Sequence, residues 1–230
     1  MNRMSLIARV AMAALAAVVS TSNAQAQGGA QQEVEAIKTA MGTNAAAQRN
    51  YTWIQTSDVA YKGEVKSTTT SACQYVAGAQ KPQCTQTSAP PEEKRQRGPV
   101  RRSVKDSKVD ELKAYMDSVK ALVAQYVPPQ KDLIGAAQGR GDVATAPNPS
   151  NGTLTNYLQK GDKVAITVNQ ASHQVSHVAV NTWLNDPAAT VTLDVAFITL
   201  PNGVSFASTK TLTATAKEVV VTITDANFAL

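Results

Sequence analysis

Cysteine and histidine are nearly missing from these 230 residues: there are two cysteines, Cys73 and Cys84, and two histidines, His173 and His177. The histidines stand four apart, which on a strand separates them by about 13 Å, and no cysteine or carboxylate adjoins them, so no metal site is expected. The Gly-x-Ser-x-Gly elbow, the Gly-x-x-x-x-Gly-Lys phosphate loop, His-Glu-x-x-His and the dinucleotide fingerprint are missing too. Carboxylates such as Asp58, Glu64, Asp186 and Asp194 are scattered, with no spacing that pairs them for acid and base work. The expectation is a protein with no catalytic residues, metal or cofactor, and not an enzyme. Aromatic residues make up 5% of the chain and the net charge is a mild +5, which together give no reason to expect a nucleic-acid partner.

Long apolar runs are also scarce. The one near the start, Ala11 to Val19, follows Arg3 and Arg9 and precedes Ala24-Gln25-Ala26, the small-x-small pattern of a secretory signal peptide. Cleavage near Ala26 leaves residues 27–230 as one domain with no transmembrane segment, in the periplasm or secreted. No cysteine follows the apolar run to carry a lipid anchor. In an exported chain, two cysteines imply a Cys73–Cys84 disulfide clamping a local hairpin.

Alternation is what the chain has in abundance. Through its last third Val164, Ile166 and Val168, then Val191, Leu193, Val195 and Phe197, then Val219, Val221 and Ile223 recur at every second position, so each run buries one strand face. Asn169 to Ser172, Asn185-Asp186-Pro187 and Pro201-Asn202-Gly203 separate the runs with turn chemistry, predicting antiparallel neighbours. Tyr51, Trp53, Val59 and Tyr61 share a parity too, and Lys62-Gly63 marks the turn after them. Thr153 to Leu158 reads as a further short strand, and the Arg-Gly-Asp triplet at 140–142 as a plain loop.

Helical spacing occupies three stretches. Val34, Ile37, Ala40 and Met41 predict a helix over about 32–47, and Lys131 to Gln138 a shorter one. Between them, Val109, Leu112, Met116, Val119, Leu122, Val123 and Tyr126 form one stripe over 106–127, stopped by Pro128-Pro129. A stripe this regular needs a matching apolar surface, which only the sheet offers. Ahead of it, 88–108 reads as a basic loop rich in proline and arginine, with Arg95, Arg97, Arg101 and Arg102 as a candidate surface for an anionic envelope partner.

The order of these parts is informative: a short helix, paired strands through Asn50-Tyr51-Thr52-Trp53 and Lys62-Gly63-Glu64-Val65-Lys66, the helix ending Gln125-Tyr126-Val127-Pro128-Pro129, then the meander. This layout resembles the periplasmic lipoprotein-carrier superfamily, and the quoted segments are similar to those of exported bacterial proteins. The resemblance implies an α+β, mainly β, fold: a curved antiparallel sheet, or half-barrel, covered on one face by two or three helices. It also implies a soluble periplasmic protein that binds or carries a hydrophobic ligand, a lipid or the acyl chains of a lipoprotein. Parity and the helix stripe nominate Trp53, Met116, Val119, Val123, Val180, Val195 and Phe197 as ligand-lining residues. The alternative is a structural or protein-interaction module of the cell envelope, in which the same residues form a filled core.

Overall fold

A computed structural model describes residues 36, 39–79, 81–88, 99–126, 131–145 and 151–230, with the side chains of 99–109, 131, 134, 135, 138 and 145 outside the description. The proposed signal peptide and its cleavage site lie outside the described residues, as do Arg95 and Arg97. The architecture is mainly β with helices, as the alternation and helical stripes imply. The helices are α1 (39–48), α2 (Pro99–Val123) and α3 (Lys131–Arg140). The strands are β1 (Thr52–Tyr61), β2 (Glu64–Gln74), β3 (Gln83–Gln86), β4 (Val143–Thr145), β5 (Asn151–Thr155), β6 (Lys163–Asn169), β7 (Gln174–Trp183), β8 (Thr190–Thr199), β9 (Ser205–Ala214) and β10 (Val219–Ala229).

All ten strands belong to one open antiparallel sheet in the order β3-β2-β1-β10-β9-β8-β7-β6-β5-β4. The run from β4 to β10 is a meander, each strand beside its predecessor. The amino-terminal strands then join its far side, with Tyr61 opposite Val219 and Thr52 opposite Ala229, so the first and last long strands meet inside the sheet. Local chemistry fixes the turns. Lys62 (φ 54°) and Gly63 (φ 77°) both adopt positive φ, the geometry of a tight hairpin between β1 and β2. Gly203 (φ 85°) does the same after Pro201-Asn202 between β8 and β9.

Cys73 and Cys84 stand directly opposite each other on β2 and β3 and form the disulfide, clamping the hairpin as their spacing implies. It fastens a four-residue edge strand that pairs with β2 alone.

Two sequence-based boundaries are corrected. The main helix begins at Pro99, not Asp106, and so takes in Arg101 and Arg102, which were expected in the basic loop. Proline is well suited to a first helical turn, because its φ is preset and the N–H it lacks has no intrahelical partner there. The strand expected over Thr153 to Leu158 is β5, which runs over Asn151–Thr155 and pairs with β4, with Val143 opposite Leu154.

Apolar side chains pack in two groups. The larger joins Val119, Leu122 and Tyr126, at and just beyond the end of α2, to Leu154, Val164, Ile166, Val180, Val191 and Ala214 of the sheet, with Ala137 of α3. Val119 is wholly buried, and each such aliphatic side chain contributes roughly 1.5–3 kcal/mol, which a helix marginal in water requires. The smaller group gathers Tyr51, Val204 and Phe206 with Phe228 and Ala47 of α1. Phe206 stacks on Phe228 at 4.3 Å and meets Tyr51 edge-on at 5.3 Å. Asn44 holds α1 there by mimicking a neighbouring strand: its Nδ2 donates to the Ser205 carbonyl (2.9 Å) and its Oδ1 accepts from the Ser205 N–H (2.7 Å).

Candidate functional site

The face of the sheet that carries the larger apolar group is its inner face, and register fixes which residues share it. Ala214 and Leu212 of β9 belong to the larger group, so alternation places Lys210 on the same side, opposite Val195 of β8 and Ile223 of β10. Asp225 follows Ile223 two residues along β10 and stands opposite Gln55 of β1. The Lys210 ammonium lies 2.5 Å from Asp225 Oδ2, while Gln55 Nε2 donates to Asp225 Oδ1 at 2.9 Å. Asp225 is 8% exposed, and the Lys210 side chain 29%. A charged, hydrogen-bonded trio therefore stands on an apolar face between the two packed groups.

One end of this face is closed by a buried polar chain. Asp162 is wholly buried, and its carboxylate accepts from the backbone N–H groups of Tyr157, Leu158 (2.8 Å) and Gln159 (2.9 Å) and from the Tyr126 hydroxyl (2.6 Å). The single Tyr126 hydroxyl proton is committed to Asp162, so Thr182 Oγ1, 2.7 Å away, donates to Tyr126 and itself accepts from Gln159 Nε2 at 2.6 Å. Burial, reinforced by the bond to Asp162, pushes the Tyr126 phenol well above its ordinary range. Four donors leave this carboxylate saturated. Its role is to join the loop between β5 and β6 to the turn after α2, which seats the helix.

The nominated lining residues fall into separate places. Val119, Val123 and Val180 meet in the larger group. Trp53 is buried at the other end, 6.0 Å from Phe206 and 5.8 Å from Tyr75. Val195 borders Lys210, and Phe197 is half-buried opposite Ala207, past a bulge between Ala196 and Phe197 that shifts the register with β9. Met116 is half-buried on α2.

No protein-family model, curated protein or solved structure matches this chain. The site therefore stands on its own geometry. Among the described residues, no group of three or more His, Cys, Asp or Glu side chains is gathered to hold a metal ion, and no helix is long and apolar enough to cross a membrane. His177 lies on the opposite face of the sheet, its Nε2 2.8 Å from Asp194 Oδ2, and His173 sits in the turn before β7 at φ 54°. In the Arg-Gly-Asp triplet, Arg140 Nε donates to Asp142 Oδ2 at 2.7 Å, and that bond is the main reason the Asp142 carboxyl titrates below its ordinary range.

Lys210, Asp225 and Asp162 had not been nominated from the sequence. Parity marks the first two, since Asp225 continues the beat of Val219, Val221 and Ile223, and Lys210 that of Leu212 and Ala214. Asp162 gave no such signal, because a Lys-Gly-Asp turn looks the same whether its carboxylate points outward or inward.

Proposed function

We propose that this is a soluble exported protein of the periplasm that binds or carries a hydrophobic ligand, a lipid or the acyl chains of a lipoprotein, on the inner face of a sheet curved into a half-barrel. One observation carries the reading. Between the two packed groups, Val59, Val221 and Ile223 on the adjacent strands β1 and β10, and Phe197 on β8, are only half-buried, with less cover than the residues at either end. An apolar strip flanked by packed ends and holding a few polar groups suits a small apolar ligand. In this reading the basic run that includes Arg101 and Arg102 meets an anionic envelope surface.

The test is direct. Protein purified from its native envelope and extracted with organic solvent should release a bound acyl lipid detectable by mass spectrometry. Lipid-free protein that also fails to bind a fluorescent fatty acid would overturn the carrier reading in favour of a structural module with a filled inner face.

A further inference from the structure

The Lys210–Asp225–Gln55 trio has no role in closing the core. Taking two charges out of water costs several kcal/mol per ion, and apolar side chains of similar volume at these positions would serve a sheet that had only to bury a core. The trio instead borders the half-exposed strip: Lys210 lies directly between the buried Val195 and the half-buried Ile223, and Asp225 is two residues along the strand from Ile223. Asp225 is spoken for on both oxygens, by Lys210 on Oδ2 and Gln55 on Oδ1. Lys210 is not saturated in the same way. An ammonium has three N–H donors, its bond to Asp225 uses one, and its side chain remains partly exposed.

We infer that Lys210 is a ligand-binding residue that donates a hydrogen bond to the carbonyl oxygen of an esterified or amidated acyl chain lying along the inner face. This inference rests on the carrier reading and names the substrate class within it. The neighbouring carboxylate sets the selectivity. A free fatty acid would bring a second negative charge beside Asp225, whose charge already offsets that of Lys210, and like charges at that distance repel. An ester or amide carbonyl offers an acceptor without a charge. A hydrocarbon chain offers no acceptor and an ether oxygen only a weaker one, which leaves the ammonium poorly paired toward the ligand, where an unsatisfied donor is costly.

The experiment compares three probes of equal chain length on the full mature chain: a long-chain monoacylglycerol, the corresponding alkyl glycerol ether, and the free fatty acid, each titrated by calorimetry. The ester should bind roughly tenfold tighter than the ether, the scale of one charge-assisted hydrogen bond, and tighter than the acid. In Lys210→Met the preference for ester over ether should vanish while ether binding persists. Because that variant leaves Asp225 buried without its cation, Lys210→Met/Asp225→Leu serves as the second variant, with circular dichroism confirming its fold, and it should show the same loss. Equal affinity for ester and ether in the unaltered protein, a preference that survives in both variants, or tighter binding of the acid would each overturn the assignment of Lys210 and leave the carrier reading standing. Binding of none of the three probes would overturn the carrier reading itself.

Discussion

The Tyr126 hydroxyl lies 2.6 Å from the carboxylate of Asp162, a residue 36 positions downstream, and this bond ties the turn after α2 to the start of β6. Both residues are wholly buried, so neither can replace the other with water. The end of α2 is held against the sheet by apolar packing together with one charge-assisted hydrogen bond.

Removing either partner should be unequal in cost. Tyr126→Phe takes away one of four donors and should destabilise the protein by about 1–2 kcal/mol. Asp162→Ala strands three backbone N–H groups as well as the phenol, and should cost about 3 kcal/mol or more. Urea unfolding with an unchanged m-value would measure both, and equal effects would show that the loop does not depend on the carboxylate.

Alkaline pH supplies a second test of the same contact. The Tyr126 phenol is raised by burial and by Asp162, so the folded state keeps a proton that the unfolded state gives up. Its stabilising contribution is present in full below the ordinary tyrosine pKa of about 10 and is lost as pH climbs from there toward the raised folded value. Unfolding free energies measured above pH ~10 should therefore fall more steeply for the unaltered protein than for Tyr126→Phe. Parallel curves would contradict the assignment.

Reduction of the Cys73–Cys84 bridge should lower stability by about 2–3 kcal/mol, the scale for closing a short loop. The effect should concentrate at the edge. Amide exchange at Thr85 and Thr87 should speed up on reduction, while the amides where β1 pairs with β10 keep their protection, because among the described residues β3 pairs with β2 alone.

Core and strip should respond differently to truncation. Val119→Ala removes two methyl groups from a site with no exposure and should cost about 2 kcal/mol. Phe197→Ala, at a half-buried position, should cost less stability and weaken acyl-probe binding more. If Phe197→Ala destabilises as strongly and leaves probe binding unchanged, the strip is core.

Alternation and turn residues made most of the sheet legible from the sequence. Val164, Ile166 and Val168 all face inward, as their spacing requires, and the turn at Pro201-Asn202-Gly203 joins two antiparallel strands. The start of α2 was less legible, because the apolar stripe begins after the helix does and its basic first turns carry no periodic apolar signal. β4 was missed for a similar reason: three residues are too few to establish a period of two.

The sequence by itself determined which residues share a strand face, where the chain turns and which cysteines pair, since these follow from a period of two, from residues that tolerate positive φ, and from the presence of just two thiols. Only the tertiary structure decided that β1 pairs with β10, that Asp162 points inward to meet Tyr126, and that Lys210 and Asp225 meet on the apolar face. Those pairings join residues far apart in the chain, where no local propensity acts, and they form because buried charges and strand edges must find partners once the strands come together.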